Sequence, residues 1–166
     1  MRIIVLATAL LIANPTTPAF AESEGLRSFK VMKPAIALDL ASAALEHCRS
    51  LGYQVAVSVV DRFGIPQVML RDELAGAHTP ETARRKAWTT VSFRTDTLEL
   101  AEVTEAGQDA SGIRHVADAM MVGGGVLVEV AGELVGGIGV SGAPGGDADA
   151  ECAVAGIEAV SDALEF

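Results

Sequence analysis

After a strongly apolar start, hydrophobic positions fall into alternating helical and extended stretches. Pro34 suits the first turn of a helix, and Ile36, Leu40, Ala44, His47 and Leu51 follow at three-to-four-residue spacing until Gly52 supplies a stop. This predicts an amphipathic first helix with His47 packed or partly buried on its stripe. Val55 to Val60 is a β-branched run, Asp61-Arg62-Phe63-Gly64 carries turn chemistry, and Gln67 to Arg71 resumes an extended pattern, which together predict a hairpin. Thr79 is expected to cap a helix with Pro80 at its first position, running through Trp88 to about Phe93. Asp96-Thr97-Leu98-Glu99 resembles a capping box opening a short helix to about Glu105, and Ala106 to His115 reads as a loop. Gly123-Gly124-Gly125 introduces Val126 to Val130, Ala131-Gly132-Glu133 turns, and Leu134 to Val140 returns as a second hairpin. Beyond the loop Ser141 to Gly146, Asp147 or Asp149 is expected to cap a last helix whose apolar stripe is Val154, Ile157, Val160 and Leu164. Hairpins with helices before, between and after imply a mostly antiparallel sheet covered by helices: an α+β, single layered domain.

The apolar start has a different character. Arg2 precedes an uninterrupted apolar run from Ile3 to Ala13, and Asn14 to Pro18 break it ahead of Ala19-Phe20-Ala21. Residues 1–21 are therefore expected to be a signal peptide cleaved near Ala21, leaving 22–166 as one periplasmic or secreted domain. The run is shorter than the ~20 residues that span a bilayer, so no transmembrane segment is expected.

Composition narrows the class. With 50% hydrophobic residues over 166 positions the chain buries a core and is not disordered. A formal charge of −10 repels polyanions, so no nucleic-acid partner is expected. Cys48 and Cys152 fall in predicted helices where a small hydrophobe would serve equally, and are expected to be two free buried thiols; their spacing matches no zinc pattern and there is no Cys-x-x-Cys.

Cationic potential concentrates on one helix, at Arg84, Arg85 and Lys86 with Arg94 close behind, whereas nothing after Arg114 is Lys or Arg. Either this is a solvated face paired with the many carboxylates, or it clamps a ligand's carboxylates, for which guanidinium forks and a point-charge Lys are suited. Trp88 either fills the core or an interface, or stacks on a flat ligand, and Thr89 and Thr90 read as helix hydroxyls bonded one turn back. His78 and His115 lie in predicted loops, where an imidazole is either solvent-exposed or a metal ligand. The glycine runs lack the Lys-Ser/Thr of a phosphate loop, and Ser141 lacks a nucleophile-elbow context.

The block Val57-Ser58-Val59-Val60-Asp61-Arg62-Phe63-Gly64-Ile65-Pro66, the Arg71-Asp72 after it, the helix Ala83-Arg84-Arg85-Lys86-Ala87-Trp88-Thr89, and Gly123-Gly124-Gly125-Val126 leading to Val135-Gly136-Gly137-Ile138-Gly139-Val140-Ser141-Gly142-Ala143-Pro144-Gly145-Gly146-Asp147 together resemble the GlcG/HbpS family, including the C-terminal domain of PduO-type corrinoid adenosyltransferases. The resemblance implies about five antiparallel strands with helices packed on both faces, a homo-oligomer, and in some relatives binding of haem or related tetrapyrroles. It implies no settled enzyme activity. Positions matching the family's polar motif residues are Asp61, Arg71, Asp72, Lys86, Thr89 and Glu151, and no histidine falls within the motif blocks.

The expectation is an exported protein that binds haem or a similar anionic small molecule. Arg71, Arg85 and Lys86 would meet its carboxylates, with Thr89, or His78 or His115, near the metal. The alternatives are an enzyme or accessory factor acting on a small oxidised carboxylate, with Asp72 or Glu151 as acid or base, and a structural or sensor-partner protein.

Overall fold

A computed structural model describes residues 25–164; the expected signal peptide lies outside them. In chain order the elements are α1 (Pro34–Ser50), β1 (Ala56–Asp61), β2 (Pro66–Arg71), α2 (Thr79–Phe93), α3 (Thr97–Val103), a 3-10 turn (Ser111–His115), β3 (Gly125–Val130), β4 (Glu133–Ser141), α4 (Gly146–Ala159) and α5 (Ser161–Leu164). The sheet is antiparallel with four strands in the order β2-β1-β4-β3, one fewer than the resemblance implied.

Strand alternation divides the sheet into two dissimilar faces. Val57, Val59, Ile138 and Val140 join Leu40, Ala41 and Ala44 of α1 and Cys152 and Ala153 of α4 in the main core. Each valine so buried contributes roughly 1.5–3 kcal/mol. On the other face Val60 packs with Ala87 and Val91 of α2. That helix lies almost on the backbone of β4, because a Cβ on Gly139 would run into the carbonyl oxygen of Ala83 and one on Gly137 would stand 2.7 Å from Val91 Cγ2. Opposite Val128/Glu129 the register skips Val135, which joins the main core.

Helices α1 and α4 approach just as closely: a Cβ on Gly156 would lie 2.8 Å from the Leu40 carbonyl oxygen. This contact places Cys48 and Cys152 with Cα atoms 5.5 Å apart, and they form a disulfide. The expected free thiols are thus corrected; a pairing between helices 104 residues apart leaves no trace in local pattern.

Several local expectations shift. The buried face of α4 is Asp149, Cys152, Ala153 and Gly156, whereas Val154 is exposed. In α1 the buried set is Ala37, Leu40, Ala41, Ala44, Leu45 and Cys48; Leu51 is exposed, and His47 keeps about a third of its side chain in solvent beside Glu151. His78, rather than Thr79, occupies the N-cap of α2. Asp96 sits at the N-cap of α3 but caps nothing with its side chain; its carboxylate accepts the Leu127 amide at 2.8 Å and ties α3 to β3. Gly145 is the N-cap of α4, and Asp149 is drawn inward instead. No helix among the described residues is long and apolar enough to cross a membrane.

Candidate functional site

At the end of the sheet where β4 runs into α4, a groove of about 590 Å³ opens between the Ser141–Gly146 loop, the residues leading into β1, and the β2–α2 connection. Its size is that of a small-molecule site. Tyr53, Leu74, Val122, Ala143 and Pro144 give it apolar walls, while Lys86, Asp149, His78, Thr79 and Thr82 supply the polar side chains.

At the floor, the sheet-facing side of α2 carries Lys86 to the end of β4. The residue is 1% exposed, and its ammonium donates to Asp149 Oδ2 at 2.7 Å and to the Val140 carbonyl at 3.0 Å. Asp149, in the first turn of α4, also accepts the Ala143 amide at 3.0 Å, so one buried ion pair fastens the glycine-rich loop and α4 to α2. Burial pushes the Asp149 carboxyl above its usual value, against the opposing pull of Lys86.

On the wall stands His78. It is exposed, and neither ring nitrogen is hydrogen-bonded among the described residues. Gly76 makes its placement possible, since a Cβ there would lie 2.7 Å from His78 Cε1.

The other expected site residues lie elsewhere. Arg85 donates to the Asp118 and Ala119 carbonyls, and Thr89 Oγ accepts the Met120 amide at 2.9 Å, so both hold the 118–120 segment against α2. Arg84 completes this clasp through Asp118 at 2.8 Å while pairing with Glu81, which its guanidinium holds below the usual carboxylate range. Of the three, Arg84 pairs with carboxylates, Arg85 bonds backbone carbonyls, and Lys86 alone lines the groove. Arg71 donates to the Ala75 and Glu73 carbonyls, bracing the loop that carries Leu74 and Gly76. Thr90 bonds forward to the Thr95 carbonyl, not one turn back. Trp88 is half-buried beneath the β1–β2 turn, its Cδ1 2.9 Å from where a Gly64 Cβ would be.

Asp72 is buried with both oxygens committed, one to Arg49 at 2.7 Å and one to the Val55 amide at 3.0 Å. Glu151 is exposed beside His47, and Asp61 holds the Phe63 and Ile65 amides of the first hairpin turn. The side chains of Arg71, Asp72 and Glu151 form no hydrogen bond or ion pair with one another among the described residues.

His115 lines a second cavity, a surface crease of about 810 Å³ between Thr104–Gly107 and Ser111–His115. No buried charged side chain lines it, and Arg114 spends its guanidinium on the Thr104 and Ala101 carbonyls. Neither cavity holds a preformed metal centre: no group of three or more His, Cys, Asp or Glu is placed for an ion among the described residues.

Sequence reasoning missed Arg49 and the site role of Asp149. No local signal marked the second: Asp149 reads in sequence as a candidate cap, and only the helix start at Gly146 turns it inward.

Comparison with known proteins places this geometry. The model of the family described as "Haem degrading protein HbpS-like" matches residues 32–158. A corrinoid adenosyltransferase PduO of Salmonella typhimurium is 37% identical over 105 residues, covering 62% of this chain and 31% of that protein. The chain spans about a third of the length of the curated relatives it matches. Among solved structures, a double mutant of Streptomyces reticuli HbpS superposes with TM-score 0.77 at 35% identity, covering 87% of this chain and 97% of that one. A complex of PduOC with heme superposes with TM-score 0.74 at 32% identity, covering 78% and 95%.

Proposed function

Because the chain belongs to the HbpS-like family, we propose that it is an exported protein that binds haem, or a closely related anionic tetrapyrrole, in the groove between the Ser141–Gly146 loop and the β2–α2 connection. The observation that carries the reading is the combination found only in this groove among the described cavities: an unengaged imidazole, His78, a buried ammonium, Lys86, and apolar side chains lining the same space. The residues fit the group. Leu74 and Val122 offer a flat molecule exposed apolar surface, and Gly142 and Gly146 let the bordering loop pack directly on Gln54–Val55 and Gly123. His78 would face the metal and Lys86 a carboxylate; Arg71, Arg85 and Thr89 would act indirectly, by fixing the loops that border the groove. When bound, haem supplies a redox-active iron and two carboxylates. This chain supplies the pocket, the charge and the imidazole.

Export draws support from the Cys48–Cys152 disulfide, which persists in oxidising compartments. The enzyme alternative draws little, since Asp72 has no free oxygen to act as acid or base and Glu151 sits on the surface. A haemin titration of the mature protein tests the reading. We expect a saturable Soret shift at micromolar protein that His78→Ala alters in position; no saturable shift removes the proposal.

A further inference from the structure

The two edges of the sheet are finished differently. The Val140 amide donates to the Gly124 carbonyl at 2.9 Å, which sets the phase of the β3–β4 ladder and turns the backbone groups of Gly125 and Leu127 outward. The start of α3 engages them: the Gly125 amide donates to Thr97 Oγ1 at 2.7 Å, that hydroxyl donates to the Gly125 carbonyl, and the Leu127 amide donates to Asp96 Oδ1 at 2.8 Å. At the opposite edge the Asp72 amide donates to the Val55 carbonyl at 2.9 Å. In the register Val57↔Leu70 and Ser58↔Met69, this phase points the N–H and C=O groups of Met69 and Arg71 away from β1. None of these four groups has a partner among the described residues. Proteins ordinarily blunt such an edge with charge, proline, a bulge or a covering segment. Here Pro66 and the bulge lie at the start of β2, Val68 to Leu70 carry no charge, and the Arg71 guanidinium is folded back onto the Ala75 and Glu73 carbonyls.

We propose that β2 is the pairing edge for a second copy of this chain, with the two β2 strands antiparallel across a two-fold axis at Leu70, so that the sheets of both copies join into one. The strand complements itself in that register. Met69 of one copy and Arg71 of the other form a hydrogen-bonded pair, the axis repeats it, and every outward group finds a partner. No like charges stand opposite one another, since Arg71 faces Met69 and Leu70 faces Leu70. Ile65 and Leu74, 61% and 79% exposed beyond the two ends of β2, are brought from opposite copies to the same ends of the joint. A foreign extended peptide would gain the backbone bonds without this reciprocal apolar cover. Because α3 seals the other edge, pairing along the sheet closes at two copies instead of extending into a fibre.

Sedimentation and hydrogen exchange of the mature protein test this together. Wild type should sediment at twice the chain mass or a multiple of it, with the Met69 and Arg71 amides exchanging as slowly as that of Leu127. Met69→Lys, at an exposed position, sets a cation opposite Arg71 twice across the axis and should weaken the pairing about tenfold. Met69→Pro deletes an outward N–H that β1 does not use, so the ladder within each copy stays whole, and it should halve the assembled mass. Wild type at single-chain mass overturns the proposal, as does an assembly that Met69→Lys leaves unweakened, or one in which the Met69 and Arg71 amides exchange freely. Protection of those amides in a single-chain species carrying a co-purified peptide gives the edge to a foreign strand and overturns it too.

Discussion

Reduction of the Cys48–Cys152 bond should remove a large share of the protein's stability. The bond closes a loop with a sequence separation of 104, and both cysteines are fully buried between α1 and α4. In the chain-entropy description a cross-link of this span restricts the unfolded chain enough to stabilise the fold by about 4.7 kcal/mol at 25 °C. Domains of this size have total stabilities of roughly 5–15 kcal/mol. The double variant Cys48→Ala/Cys152→Ala also vacates two buried sulfur positions, for about 1 kcal/mol more at each. Urea unfolding of oxidised, reduced and doubly substituted protein separates the two contributions. Reduced wild type should lose 4–5 kcal/mol, seen thermally as a fall of roughly 10–20 °C, and the alanine pair somewhat more. A thiol titration of the denatured, unreduced protein should find no free cysteine. Reduced protein within about 1 kcal/mol of the oxidised form would refute the reasoning.

Other expectations follow from single positions. Lys86→Met leaves Asp149 buried without its partner and should cost about 3–5 kcal/mol, most of it recovered by adding Asp149→Leu, as read by urea unfolding. The folded pKa of Asp149 lies above its ordinary 3.8, so its contribution to stability is full below that value and is lost as pH rises through the folded pKa. Asp149→Asn should therefore flatten the fall in stability on raising the pH from the unfolded value upwards; an unchanged slope would contradict the cause assigned. Gly139→Ala drives a methyl into the Ala83 carbonyl and to 2.7 Å from the Ala87 amide nitrogen, and should cost about 3 kcal/mol or more by lifting α2 from β4. Gly112→Ala, with open space around it, should stay within about 0.5 kcal/mol. Ala131, at φ 50° beside Gly132 at 76° in the β3–β4 turn, is left-handed without being glycine; Ala131→Asn should raise stability by about 0.5–1 kcal/mol.

The elements were legible because their signals are local. Pro34 and Gly52 bracket α1, the valines of β1 and the turn after Asp61 mark the first hairpin, and Ala131-Gly132 marks the second. Side-chain destinations were less legible, since each is decided by a distant element. Asp96 has the right spacing for a cap, yet its oxygen is claimed by Leu127, which strand pairing brings alongside. Arg84, Arg85 and Lys86 are equivalent in sequence; helical rotation sends the first two to the 118–120 segment and the third beneath the sheet's end. Cys48 and Cys152 pair only because Gly156 lets α4 lie close on α1. His78 was legible as a loop histidine, but the groove beside it exists only once β4, α4 and the β2–α2 connection meet.

Paramagnetic broadening of backbone amides by bound haemin tests most directly where the ligand sits. Lost 15N–1H signals should cluster at Gly52–Gln54, Gly76–Thr82 and Ser141–Gly146, the borders of the groove that holds His78 and Lys86. Loss centred instead on Thr104–Gly107 and Ser111–His115, or spread without focus over the surface, would contradict the assignment of the site.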